Sequence, residues 1–417
     1  MKAILHHIDR RQYTLFFCCI FLWALVYSKF MISVGMIMFL VATIFDWNWE
    51  KKFFLQINPN LKTNFQKFIS NKSYLVVTLF FFIVLVSGIY SEDMHYWTER
   101  LRIKLPFLLL PLAFISMPKF NEKNYLSIFY FFLTLLVVSA LLVGFDYWQN
   151  YEVITDGLGR GRPIPTPCNH IRYSLMMAFS IIGGLYLFFK KFYLKYEWER
   201  WIILGMTIFL FGFIHVLSVR SGIAGLYLAI VALSLRYAFL QKKYLVGLAA
   251  ALLVMSLPLI AYQTIPGFKQ KVDYTWWDWK QYMEDKPLRS SDAERMVSLN
   301  IGFQIGQTAP LLGVGAGDLR KEVHQIYAQQ YPNITDKKMP HNQFLSVCAG
   351  TGMIGLLIFC FAFFFPLIFY RKKMDAMFIA LHLIIFFSFL TENTIENSIG
   401  VAFYVFFLLW GLNSLED

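Results

Sequence analysis

Cysteine is scarce and never paired. The five residues, Cys18, Cys19, Cys168, Cys348 and Cys360, include no Cys-x-x-Cys spacing, and four of them fall inside apolar runs. Neither a disulfide framework nor a zinc site follows from such a pattern. Charge is scarce as well. Asp, Glu, Lys and Arg make up 15% of the 417 residues, against roughly 25% in soluble globular chains. No internal repeat of fixed period and no Gly/Ser linker divides the sequence. What fills the space is apolar: hydrophobic residues reach 58%, aromatic residues 19%, and mean hydropathy is +0.52. That composition excludes an ordinary soluble fold and predicts an all-α polytopic membrane protein.

A bilayer core takes about 20 apolar residues per helix. Runs of about that length, or somewhat less, fall at 13–28, 30–45, 73–90, 105–118, 125–146, 170–189, 201–218, 221–239, 244–262, 341–369, 375–391 and 398–413. The expected count is therefore about twelve spans. The first two are split only near Lys29, and the fourth is short and contains Pro106 and Pro111. No small-residue cleavage site follows the first run, so an uncleaved first helix is expected.

Lys and Arg cluster in every second connection: Arg10 and Arg11, Lys51 and Lys52, Lys119 and Lys123, Lys190, Lys191 and Lys195, Lys242 and Lys243, then Arg371, Lys372 and Lys373. Positive charge is retained on the cytoplasmic side during insertion, so this alternation predicts both termini inside. The net charge of +12 is then a topology signal, and nucleic-acid binding is not required to explain it. The expected organisation is one membrane domain, with helices 1–9 over 1–262, a long outer loop over 263–340, and helices 10–12 over 341–417.

The outer side receives the polar mass. Residues 269–286 carry Tyr274, Trp276, Trp277, Trp279 and Tyr282, aromatics suited to the headgroup region, which predicts an interfacial segment. Ser291 and Glu294 fit a capping box and Pro310 a stop, predicting a helix over about 292–307. A turn with Gly313, Gly315 and Gly317 follows, with Asp318 as cap of a further helix that places Leu319, Val323, Ile326 and Tyr327 on one face. This glycine spacing is not a dinucleotide fingerprint.

On that outer side, positive charge has no topological task. Arg220 lies between two spans with almost no loop, where it either snorkels to headgroups or binds an anion. Arg295 by itself reads as a solvated helix residue, and His341 as a helix-mouth residue. Together, two guanidinium forks and one imidazole can bind an anion and take a proton near neutral pH. That combination suits a phosphate leaving group. Glu392 and Glu396 sit four apart near the outer end of the last helices, where one can orient His341, act as an alternative base, or cap a helix. Arg160, Arg162, His170 and Arg172 crowd another outer loop within reach of a glycan or a diphosphate. Arg102 and Lys104 bind lipid phosphates or anchor a helix.

The segment HNQFLSVCAGTGMIGL resembles the His-Asn…Leu…Gly…Gly pattern of the O-antigen ligase and polymerase family, with His341, Asn342, Leu345, Gly352 and Gly355 in matching places. RMVSLNIGFQIGQTAPLLGVGAGDL resembles that family's Arg-containing helix followed by Pro-x-x-Gly-x-Gly, and SVRSGIAGLYL its Ser-x-Arg motif. The three motifs occur in the family's order across the carboxyl-terminal half.

This resemblance implies a GT-C-like, inverting glycosyltransferase that needs no metal or other cofactor. It would act at the periplasmic face of the bacterial inner membrane on an undecaprenyl-diphosphate-linked glycan. Carried onto this chain, it makes His341 the base or acceptor-orienting residue, with Asn342 beside it, and gives Arg220 and Arg295 the donor diphosphate. The residues agree in one respect: the sequence has no Asp-x-Asp pair for a nucleotide-sugar metal. A ligase acting on lipid A core and a polymerase extending a glycan on its carrier share this chemistry and are not separated by the motifs. A transporter is a further alternative, opposed by the absence of repeated halves and by polar residues gathered at one face.

Overall fold

The computed structural model describes residues 10–47, 55–160, 162–283 and 291–415. The basic pair Lys51 and Lys52, the amino-terminal residues 1–9 and the end of the predicted interfacial segment, 284–286, lie outside the described residues. Every one of the twelve apolar runs is helical. Helices α1 (Arg10–Tyr27) and α2 (Lys29–Ile44) form a hairpin broken at Ser28, whose hydroxyl accepts the Met31 N–H at 3.3 Å and caps α2. Two three-residue strands, β1 (Phe45–Trp47) and β2 (Leu55–Ile57), pair antiparallel.

Helix α3 (Leu61–Ser70) meets α4 (Lys72–Ser87) at an 81° bend. Asn71 makes the corner by accepting the Ser73 and Tyr74 N–H groups at 3.0 and 3.2 Å. After α5 (Met94–Lys104) comes α6 (Pro106–Ile115), with Pro106 in its first turn and Pro111 inside it. Ten residues of helix rise about 15 Å, half of a hydrocarbon core of about 30 Å. The predicted span at 105–118 is thus a buried half-length helix.

The remaining helices are α7 (Glu122–Gln149), α8 (Tyr151–Gly159), α9 (His170–Phe189), α10 (Glu199–Leu217), α11 (Arg220–Leu240) and α12 (Tyr244–Thr264). They are followed by α13 (Pro266–Met283), α14 (Ser291–Thr308), α15 (Leu319–Gln330), α16 (Gln343–Phe369), α17 (Ala376–Thr391), a 3-10 turn (Thr394–Glu396) and α18 (Ser398–Leu415). Among the described residues, seven helices are long and apolar enough to cross a membrane, or eight if the bent α3–α4 pair is one span. The expectation of twelve is corrected to that extent, while the polytopic all-α class stands. Helices α2 and α17 are apolar but short, and α1 begins with Arg10, Arg11 and Gln12.

Nearly all the long helices are apolar on every side, so packing decides which are central and which face lipid. In α18, Val401 through Trp410 are all buried, and Phe406 and Trp410 stack against Phe21 at 5.3 Å and Tyr125 at 5.8 Å respectively. Helix α9 is buried along most of its length. By contrast, α12 exposes Leu245, Leu252, Leu253 and Leu259, an apolar surface of the kind a lipid chain covers. Helix α13 carries its exposed Trp276, Trp277 and Trp279 alongside α12 and α14.

One backbone device fixes the entrance of α16. That helix is interrupted at Gly352, with φ +66° and ψ −172°, and the loop after α14 inserts its own hydrogen bonds there. Met353 N donates to Pro310 O at 2.8 Å, Val314 N to Ala349 O at 3.0 Å and Gly315 N to Gly350 O at 3.0 Å. The Pro-x-x-Gly-x-Gly stretch and Gly352 are therefore two halves of one joint. A Cβ on Gly352 would stand 2.2 Å from Leu311 O. Asp318, expected to cap α15, makes no side-chain cap. Its carboxylate instead accepts the Glu92 and Asp93 N–H groups at 2.7 and 2.9 Å, tying this joint to the start of α5.

Candidate functional site

His341 stands immediately before α16, and Asn342 caps that helix by accepting the Leu345 N–H at 2.9 Å. The Asn342 amide also donates to Leu390 O at 3.0 Å, which draws the mouth of α16 to the end of α17. The His341 backbone N–H reaches the Ser298 hydroxyl on α14 at 3.3 Å. Glycine lets these elements come close: a Cβ at Gly302 would lie 2.9 Å from the Pro340 ring.

Glu392, the residue that ends α17, is 3% exposed and bridges the other two helices. Its Oε2 lies 3.1 Å from His341 Nδ1, and its Oε1 accepts Arg295 NH2 at 2.8 Å. Burial works against the Glu392 charge, but the His341 hydrogen bond and the Arg295 charge outweigh it. The carboxyl is held below its ordinary range. An ionised carboxylate only accepts, so Nδ1 of neutral His341 carries the hydrogen and Nε2 keeps its lone pair. The arrangement can take one proton at Nε2 and stabilise the resulting imidazolium.

Arg295, His341 and Arg220 line a single cavity of about 320 Å³, together with the buried Asp278 and with Thr275, Trp279 and Thr391. An adjoining space of about 280 Å³ is lined by Arg220, Arg295 and Glu392 with His170 and Lys271. A third, of about 650 Å³, runs from Arg220 and Lys271 along Ile223, Tyr227, Met255, Pro258 and Trp276. A cationic end thus opens onto an apolar groove between α11, α12 and α13.

The fold does not gather every candidate here. Glu396 is paired elsewhere: Lys104 Nζ lies 2.7 Å from its Oε1, and Gln343 Nε2 donates to the same oxygen at 2.7 Å. Burial opposes its charge, yet Lys104 and Arg100 hold the carboxyl below the usual range. Lys104, expected at the lipid surface, is buried in that pair, whereas Arg102 is exposed. Arg172 is 5% exposed and donates to Asn393 O at 2.9 Å and Thr394 O at 3.4 Å, bracing the turn that follows Glu392. Arg160 is exposed and pairs with Asp156 at 3.0 Å. Arg162 is also exposed, and neither residue lines the cavities around His341.

Sequence reasoning missed Lys271 and Ser298. Lys271 had a findable signal, being another cation in the long outer connection. Ser298 had none, because its contact is made across 43 residues.

A comparison with curated proteins finds no match. A comparison with family models matches residues 205–360 to the family described as O-antigen ligase. The matched stretch includes Arg220, Arg295, His341 and both halves of the Gly352 joint. Over residues 205–360, then, this membrane chain is similar to the O-antigen ligase family.

Proposed function

We propose that the chain is a GT-C-like, inverting glycosyltransferase that moves a glycan from an undecaprenyl diphosphate to an acceptor hydroxyl. The acceptor is lipid A core in the ligase reading. The observation that carries the proposal is the Arg220–Arg295–His341 cavity opening onto an apolar groove. A lipid diphosphate presents the complementary pair of features: a dianionic head and a long apolar tail. Guanidinium forks suit phosphate oxygens.

In this reading the acceptor O–H loses its proton to His341 Nε2 as its oxygen bonds to the anomeric carbon. The bond from that carbon to the diphosphate oxygen breaks, and the electron pair leaves on the diphosphate. Arg220 and Arg295 stabilise the charge that develops there. Glu392 keeps Nδ1 protonated and offsets the imidazolium. Because the leaving group is already activated, positioning and charge suffice without a metal. Residues 263–340 would face the periplasm of the inner membrane, with the membrane domain continuing on both sides in sequence.

A repeat-unit polymerase is the second reading, since the same constellation serves a growing glycan as acceptor.

The test is transfer by the purified protein, measured beside donor affinity, in wild type and His341→Ala. General-base assistance is typically worth about 10²–10⁴-fold, so turnover falls by that order while the donor still binds. Unchanged turnover would remove His341 from the mechanism.

A further inference from the structure

A second cavity, of about 420 Å³, is lined in part by the turn after Glu392. Four cations line it, Arg100, Lys104, Arg172 and Arg320, against two carboxylates, Glu99 and Glu396. The carboxylates are already matched: Glu99 binds Arg100 at 2.9 Å and Glu396 binds Lys104 at 2.7 Å. Arg172 and Arg320 remain as positive excess, neither of them in a salt bridge among the described residues. Arg172 is 5% exposed, and its Nε, like that of Arg100, is buried without a hydrogen-bond partner. Arg320 and Arg100 both rest on the Tyr96 ring, at 4.1 and 4.7 Å. Arg100 is paired with Glu99 and Arg172 is held by backbone carbonyls, so the remaining positive excess of the cavity is one that an added anion would stabilise.

The cavity is bound to the candidate site by the chain itself. Met339 lines it two residues before His341, and Asn393, Ile395 and Glu396 line it just after Glu392. It is separate from the Arg220 groove, which lies against α11, α12 and α13.

We propose that this second cavity receives the acceptor glycan through an oxyanion on the sugar, a carboxylate or a phosphate, while the donor diphosphate occupies the Arg220–Arg295 side. The assignment rests on the transferase reading above. The two ligands then reach the His341–Glu392 pair from two separate cavities, the acceptor's being the one lined by the 393–397 turn, and Arg320 is a specificity residue for a charged acceptor.

Ligand-observed NMR on the purified full chain tests this with glucose 6-phosphate and glucuronate, each against neutral glucose. Titrations in an Arg295→Gln background suppress binding on the donor side. The anionic sugars bind saturably there and glucose does not. Adding Arg320→Gln weakens them at least about tenfold, as expected for one charge-assisted hydrogen bond, and Arg320→Lys recovers part of the loss. In a transfer assay with a charged acceptor, Arg320→Gln raises acceptor KM by about the same factor and leaves kcat and donor KM within about twofold.

Equal binding of glucose, or anion binding indifferent to Arg320→Gln, overturns the proposal. Suppression of the Arg320-dependent binding by phosphatidylglycerol nanodiscs, but not by phosphatidylcholine nanodiscs, gives the cavity to a lipid headgroup and also overturns it. Failure of the transferase reading looks different: Arg320-dependent anion binding persists, but no glycan moves from a lipid diphosphate.

Discussion

Glu392 joins His341 to Arg295 with one oxygen each, at 3.1 and 2.8 Å. Three segments far apart in the chain, the end of α17, the mouth of α16 and the start of α14, are thereby fixed around one buried carboxylate. The carboxylate has two tasks, setting the imidazole tautomer and neutralising a guanidinium, and both require its charge.

Glu392→Gln preserves the shape and removes the charge. An amide can donate to Nδ1 and stabilise the wrong tautomer, so turnover is expected to fall by about 10²–10⁴-fold with donor affinity changed far less. Stability shifts as well, and its pH dependence has a definite sign. The Glu392 carboxyl lies below its ordinary value when folded. Its contribution is therefore complete above the unfolded value of about 4.3 and is lost as pH falls through the lower folded value. Thermal unfolding of wild type and variant should differ most above that value and converge in acid. Parallel curves at all pH values would contradict the charged role.

Arg220→Lys and Arg295→Lys keep one positive charge and lose the planar fork. Donor affinity and turnover should both fall strongly at normal expression, by roughly tenfold or more for each. Transfer by the wild type should be indifferent to EDTA. Wild-type kinetics in both lysine variants would leave the diphosphate role without support, and loss of transfer with EDTA that Mg²⁺ restores would overturn the metal-free reading.

Gly352→Ala places a Cβ at φ +66° against Leu311 O at 2.2 Å. Backbone strain of this type costs about 1–3 kcal/mol before any clash is relieved. The variant should show a lowered melting temperature and reduced yield of folded protein in detergent. A melting curve superimposable on wild type would mean that the Pro310–Gly315 joint is not required.

The alternating basic connections predict that residues 263–340 face outward. A cysteine introduced at Asn333, just after α15, should react with a membrane-impermeant maleimide in intact spheroplasts. Reaction only after the membrane is opened would reverse the topology and with it the side assigned to the proposed transfer.

Sequence alone determined the class of this protein and the location of its helices, because both depend on local composition. A run of apolar residues must satisfy its backbone internally in lipid, whatever surrounds it. Motif spacing likewise brought His341, Arg220 and Arg295 forward, since each sits at a helix end where an ionisable group is conspicuous. Local information could not decide how many helices are long enough to cross; the run with Pro106 and Pro111, which hydropathy counts as a span, is only the ten-residue α6. Nor could it choose between Glu392 and Glu396. The two are four residues apart and chemically identical, yet one meets His341 and the other meets Lys104, 292 residues away in sequence. That choice belongs to the packing of α5, α14 and α16 around the 393–397 turn, where the nearest partner for each buried charge is set by distance in space.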